Sequence, residues 1–280
     1  LAILAANGGD LPGARQHFET ALGLAHEHGM AEAVTLVSDN LAVVLRRLGD
    51  LDAALALHRA ALAQAEERGE DTLRAASLVN VSEVLLLTGD APAAQASARE
   101  ALTLARRLGE TATEGYGMAN LAIALAHQGR LAEAVELQRA AVEHARTHEI
   151  TALEPAALVN LGEHLEQTDA EAARERFSEG RDVAERLDHA FERLRATQGL
   201  ARLALRRGDA EEAAALVAVA QELTEADAVG PEAQETRRLA AMLGAEAVAE
   251  RYLDGVEQRL ALLPRAAPDA APVYLISLLE

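Results

Sequence analysis

The sequence contains no cysteine, no tryptophan and no lysine. Without thiols there are no disulfides and no thiolate chemistry, so the chain has no built-in demand for an oxidising compartment, and a cytoplasmic setting is expected. Without lysine there is neither a phosphate-binding P-loop nor a Schiff-base nucleophile, and all 26 basic residues are arginines. No Gly-x-Ser-x-Gly elbow occurs either. Aromatic residues make up only 2% of the chain, so large rings do not build its core. No apolar run approaches the roughly 18 residues of a membrane span. Surplus positive charge is missing as well. The net charge of −19 repels phosphate backbones and anionic lipid, which argues against direct nucleic-acid or membrane binding by this region.

What is present is alanine and leucine, the best helix formers, in a chain of 280 residues that is half hydrophobic. They recur with a period. Asn40, Asn80, Asn120 and Asn160 stand 40 residues apart, each followed by Leu or Val. Gly9, Gly49, Gly89 and Gly129 keep the same interval, and Gly208 falls one residue early. A shared period of this length means stacked supersecondary units. The apolar spacing predicts paired helices: 31–48 with 51–68, 72–88 with 91–108, 113–128 with 131–148, 152–168 with 170–187, and 190–207 with 210–225. Before them comes a cut first unit, with a helix end at Leu1–Leu4, a Gly8-Gly9-Asp10 turn and a helix over 11–28. The repeat array thus covers 1–226. A weaker helical pair or cap covers 227–263, with helices over 232–243 and 245–263. Residues 264–280 read as a linker and a short apolar segment, Val273–Leu279. The chain starts inside a repeat, without Met or a signal peptide, and reads as part of a longer protein. Its arginine-only, alanine-rich composition fits a GC-rich bacterial genome.

These units resemble tetratricopeptide repeats. The second unit shows Asn40-Leu41-Ala42, Gly49-Asp50, Ala54 and Ala61-Leu62. The third repeats this with Asn80-Val81-Ser82, Gly89-Asp90, Ala94 and Ala101-Leu102, and the fourth with Asn120-Leu121-Ala122, Gly129, Ala134 and Ala141-Val142. The family's common period is about 34, so both helices here are longer by about a turn. That form is similar to the repeats of kinesin light chains and of large bacterial signalling ATPases and transcriptional regulators. The chain departs from the pattern at aromatic positions, which hold His58, Ala98 and Gln138 while Phe18 and Phe177 keep a ring. The fifth unit lacks its turn glycine, and the sixth has Gly199 in place of Asn. The resemblance implies an all-α, right-handed superhelical solenoid of antiparallel helix pairs, with the first helix of each pair lining a concave groove.

The candidate site follows from that groove. In the family the Asn position faces bound peptide, and an amide both donates and accepts, so Asn40, Asn80, Asn120 and Asn160 can hold a peptide backbone. The alternative is that these amides bond to a neighbouring helix and fix repeat geometry. On the same helical face come Val43, Glu83, Ile123 and Glu163, then Arg47, Leu87, His127 and Gln167, with Tyr116 adding a ring. Arg195, Arg202 and Arg206 form a stripe on the sixth unit that can receive a carboxylate or phosphate, unless Glu163 or Glu166 already neutralises it. His144 and His148 have a metal-compatible spacing but no third ligand, and read as surface residues. No catalytic, metal or cofactor site is expected. The resulting expectation is a non-enzymatic recognition module of a larger bacterial regulatory or signalling protein, binding a peptide, a protein or a small effector in the groove. Two alternatives remain: a scaffold that self-associates, including as a homo-oligomer, and a small-molecule-sensing domain of a transcriptional regulator.

Overall fold

The computed structural model describes residue 2 and residues 10–224 and 232–244, leaving aside the side chains of residues 31 and 32. The expected helix end at Leu1–Leu4, most of the first turn, the Gly230-Pro231 break, the helix over 245–263, the linker and Val273–Leu279 lie outside the described residues. Eleven helices follow one another: α1 (Leu11–Glu27), α2 (Ala31–Arg47), α3 (Leu51–Arg68), α4 (Asp71–Leu87), α5 (Ala91–Leu108), α6 (Thr111–His127), α7 (Leu131–Thr147), α8 (Glu154–Leu165), α9 (Ala170–Arg186), α10 (Ala190–Arg207) and α11 (Ala210–Leu223). Residues 232–244 are also helical. Among the described residues no helix is long and apolar enough to cross a membrane.

Local chemistry sets the punctuation. The second helix of most pairs is capped by an aspartate whose carboxylate accepts from the backbone N–H three residues on: Asp10 from Gly13 at 2.9 Å, Asp90 from Ala93 at 3.1 Å, Asp169 from Ala172 at 3.0 Å and Asp209 from Glu212 at 3.1 Å. Arg130 takes the capping place of the fourth unit and makes no such bond. Helix ends turn through left-handed residues, which glycine adopts without steric cost. Gly49 and Gly89 do this within units, at φ 81° and 83°. Glu149 (φ 52°) and Asp188 (φ 58°) hold the same conformation with a side chain, and these two turns flank the fifth unit. That unit is the irregular one. Its first helix starts only at Glu154, with Pro155 in its first turn, and runs 12 residues rather than the 17 expected.

Each second helix buries an alanine completely in its first turn. Ala14, Ala54, Ala94, Ala134, Ala173 and Ala213 are fully buried. First helices also touch the first helices of the next unit, as α4 does α6, α6 does α8 and α8 does α10. No comparable contact joins successive second helices. The first helices therefore form the tighter inner layer, and the array curves with them on its concave side. The result is an all-α, right-handed superhelical solenoid of the repeat type expected.

Phe177 explains the missing Asn of the sixth unit. Its ring is fully buried and lies against two glycines on neighbouring first helices. A Cβ built at Gly199 would stand 2.6 Å from it, and one at Gly162 2.7 Å. Only glycine at both places admits the ring. Gly199→Ala is therefore expected to destabilise the fold by about 1–3 kcal/mol through overpacking, although it removes a helix-interior glycine. Gly23→Ala, where nothing lies within 4 Å of the new methyl, should stabilise by about 0.5–1 kcal/mol. Urea denaturation of both variants checks this. Equal gains in both would contradict the packing account.

His58 occupies a family ring position and is buried, with Nδ1 lacking a hydrogen-bond partner. Burial, helped by Arg46, lowers its pKa to about 4; Asp39 is 3.9 Å away, too far for a hydrogen bond. Burial likewise brings His164 down to about 4. Both pKa values lie below the unfolded value of about 6.5. The stability from these neutral rings is complete above that value and is lost as pH falls from 6.5 towards 4, where the unfolded chain binds more protons. Asp39 and Glu192, raised by burial, act with the opposite sign. His58→Phe should remove on the order of 1 kcal/mol of the loss between pH 7 and 5. Denaturation midpoints of parent and variant at the two pH values measure it, and parallel pH profiles would refute it.

Candidate functional site

Three residues of each first helix, at helical spacings of seven and four, share one helical face and form the candidate floor. They are Leu36, Val43 and Arg47 on α2; Ala76, Glu83 and Leu87 on α4; Tyr116, Ile123 and His127 on α6; Ala156, Glu163 and Gln167 beside α8; and Arg195, Arg202 and Arg206 on α10. On α2 and α4 the solvent side is apolar: Leu36 is 65% exposed, Leu87 50% and Val43 44%. Tyr116 and Ile123 continue this surface half-buried on α6. Burial raises the Tyr116 pKa, with smaller pushes from Glu83 and Glu192, so the ring is a neutral hydroxyl carrier at neutral pH.

The Asn residues do not share one environment. Asn40 is half-buried and donates to Leu36 O of its own helix at 2.8 Å. Asn80 is half-buried and makes no side-chain hydrogen bond among the described residues. Asn120 is buried and donates across to α4, to Ser82 Oγ at 2.8 Å and Val79 O at 3.2 Å, while Ser82 itself donates to Val79 O. Asn160 is buried, and its Oδ1 accepts from Arg195 Nη2 at 2.9 Å.

The arginine stripe is occupied from within. Arg195 donates to Glu163 at 2.8 Å and Glu192 at 3.1 Å besides Asn160, and its guanidinium lies 5.9 Å from the exposed Phe191 ring. Arg202 donates through Nη2 to Glu166 at 2.9 Å and through Nη1 to Glu235 at 3.3 Å. Arg206 reaches the same Glu166 carboxylate at 2.9 Å. Glu166 is almost completely buried between the two arginines. Against the lowering effect of burial, these carboxylates raise the guanidiniums of Arg195 and Arg202 above the ordinary arginine value. Burial raises the Glu192 carboxyl against the pull of Arg195.

Gln198 extends the network by donating to Glu232 O at 2.7 Å and Thr236 Oγ1 at 2.8 Å, which fastens the helix over 232–244 to α10. Sequence reasoning missed Leu36, Phe191 and Glu192. Leu36 was signalled by standing four residues before Asn40. Phe191 and Glu192 carry no repeat signal, because α10 departs from the pattern. His144 Nε2 lies 2.8 Å from Thr111 O and the ring stacks on His148 at 4.4 Å. Among the described residues no three His, Asp or Glu side chains gather as a metal site.

The contrast within the ladder can be measured. Asn120→Ala removes two buried hydrogen bonds to α4 and leaves a space between the helices, and is expected to cost about 1–3 kcal/mol. Asn80→Ala should change stability by less than about 0.5 kcal/mol. Thermal melts of the two single variants decide it. A cost at Asn80 equal to that at Asn120 would show the ladder to be uniformly structural.

Residues 38–67 match the tetratricopeptide repeat family, and residues 68–262 match the family described as the MalT-like TPR region. No curated protein matches the chain in sequence. Among solved structures, a Rap protein complexed with competence and sporulation factor is 16% identical, with a TM-score of 0.63 over 93% of this chain and 74% of that one. A signal transduction ATPase with numerous domains and a tetratricopeptide repeat sensor, from Pyrococcus horikoshii, is 15% identical, with a TM-score of 0.57 over 93% of this chain and 42% of that one. Nearly identical TPR-like repeats from Podosopora anserina, assigned to a kinesin light chain and solved as a point variant, are 17% identical, with a TM-score of 0.53 over 68% of this chain and 93% of that one. At these identities the likeness to solved structures is one of fold. The match to the family itself spans well over half of the sequence, and the chain belongs to the MalT-like TPR region family.

Proposed function

We propose that the chain is a non-enzymatic recognition module of a larger, bacterial, cytoplasmic regulatory or signalling protein, and that it holds a peptide, a partner domain or a small effector on its concave face. The observation that carries this reading is the exposed apolar surface of Leu36, Val43 and Leu87 on the inner helix layer, continued by Tyr116 and Ile123. Side chains of this type at the inner face of a curved array are a surface that gains by being covered. Asn80, half-buried and without an internal bond, adds an amide able to hold a backbone. The Rap structure is a complex with competence and sporulation factor, and the repeats of the Pyrococcus horikoshii ATPase are described as a sensor. Both support a sensing or docking role for arrays of this shape.

The mechanism is population shift. A ligand that bridges α2, α4 and α6 favours the superhelical pitch in which those helices stand at the right spacing. An attached domain then reads the pitch. The size of that effect equals the ligand's preference for one pitch over another.

Capture from the native lysate tests the reading, with the parent chain and a Val43→Asp/Leu87→Asp variant as baits and mass spectrometry as the readout. A species held by the parent and reduced by about tenfold or more on the variant, with helicity unchanged, is the expected result; that ratio corresponds to about 1.4 kcal/mol. Identical capture by both baits, or recovery of the chain alone, would favour self-association and remove the groove from the account.

A further inference from the structure

The concave face is chemically divided, and the division indicates what kind of partner it takes. We propose that the half built by α2, α4 and α6 seats an amphipathic segment of net positive charge, whose apolar side chains lie on Leu36, Val43, Leu87, Tyr116 and Ile123. This deepens the groove reading above and rests on it.

Three observations select that occupant. The apolar side chains of the floor that stand open to solvent are on α2 and α4, with half-buried Tyr116 and Ile123 beside them on α6, whereas α8 and α10 contribute Glu163, Gln167 and the three arginines. Next, the least exposed cations of the inner face are already used, whereas Arg206 stays 53% exposed and Arg47 stands exposed on α2. Arg195 is held by Asn160, Glu163 and Glu192, and Glu166 is shared by Arg202 and Arg206. At Arg195 and Arg202, 20% and 23% exposed, an incoming carboxylate would have to displace an internal one, exchanging like for like and stranding a buried charge. Finally, the field of the open half is negative. From Asp10 through Asp90 there are 13 carboxylate residues against 6 arginines. Glu83 stands on the floor itself and Asp39 at its edge, 42% and 46% exposed, and the Arg46 nearest Glu83 is engaged with it at 3.0 Å. A segment with cationic flanks is steered to this surface, and an anionic one is turned away.

Size gives the probe. Packed helices stand about 8–10 Å apart, so three of them span about 20 Å. A helix of about 14 residues covers that distance at 1.5 Å per residue. Two synthetic peptides of about 18 residues serve, with the same leucine face and either lysines or glutamates on the other face. Binding to the full chain is measured by calorimetry at about 0.15 M salt. The baits are the parent, a Leu36→Ser/Val43→Ser/Leu87→Ser variant and Arg206→Gln. The lysine peptide should bind the parent and Arg206→Gln alike, and the triple variant at least about tenfold more weakly with unchanged circular dichroism.

Tighter binding of the glutamate peptide would overturn the charge assignment while leaving the groove reading intact. Equal binding of the lysine peptide to the parent and the triple variant would show adhesion to the acidic outer surface, and would also overturn the proposal. Binding of neither peptide would overturn it too. The groove reading would then stand or fall on the capture experiment, which uses native partners and no designed peptide.

Discussion

The fully buried alanine near the start of each second helix is the constraint on which the array depends. Ala14, Ala54, Ala94, Ala134, Ala173 and Ala213 have no exposed surface at all, so a larger side chain there would have to displace packed neighbours. With small side chains there, leucine and valine from the first helices fill the remaining space and large rings are not needed. This is how a chain with 2% aromatic residues builds a continuous core. It also makes the energetics nearest-neighbour in kind. Each unit packs on the next, and the curvature follows from the inner layer being closer spaced than the outer.

The irregular fifth and sixth units show how one local choice propagates. Keeping a ring at Phe177 requires glycine at 162 and 199. Glycine at 199 removes the amide that the ladder would place there. The ladder's cross-helix bond is then made differently, by Arg195 reaching back to Asn160. A guanidinium in that place needs carboxylates, which Glu163 and Glu192 supply. One turn further, Arg202 and Arg206 close on Glu166, and Arg202 continues to Glu235 on the helix over 232–244. Partly buried charge networks add little net stability, because desolvation offsets the attraction, yet each breaks badly if one member is lost. Their effect is to fix how α8 and α10 sit, in the unit whose turns carry Glu149 and Asp188 in place of glycine.

Much of this was legible in the residues. The period placed the helices from α1 to α11, because Gly at the turn, Asp at the cap and Ala in the first turn are each the answer to a local steric demand. Three ends, those of α3, α5 and α10, fell on Arg68, Leu108 and Arg207 as the pattern predicts. The fifth unit escaped because Pro155 and a left-handed Glu149 reset where its first helix begins, and neither repeats elsewhere. The floor was only partly legible. Helical spacing gave Val43, Leu87, Tyr116 and Ile123, but it could not separate Asn120, which reaches a neighbouring helix, from Asn80, which does not. That difference depends on Ser82 and the backbone of α4, residues about 40 positions away. The alternatives for the arginine stripe also turned on contacts that no single helix reveals.

The two halves of the concave face therefore differ in mechanics as well as in chemistry. Around α8 and α10 the inner layer is joined by charged hydrogen bonds that demand particular distances and angles. Around α2 and α4 the floor carries more apolar surface, in Leu36, Val43 and Leu87, and apolar packing is non-directional, so it tolerates small changes of pitch. The helix over 232–244, fastened to α10 by Gln198 and Arg202, extends the charged half. If the apolar half takes the ligand, as proposed, binding acts where the packing tolerates a change of pitch, and the directional bonds around α8 and α10 resist the same change.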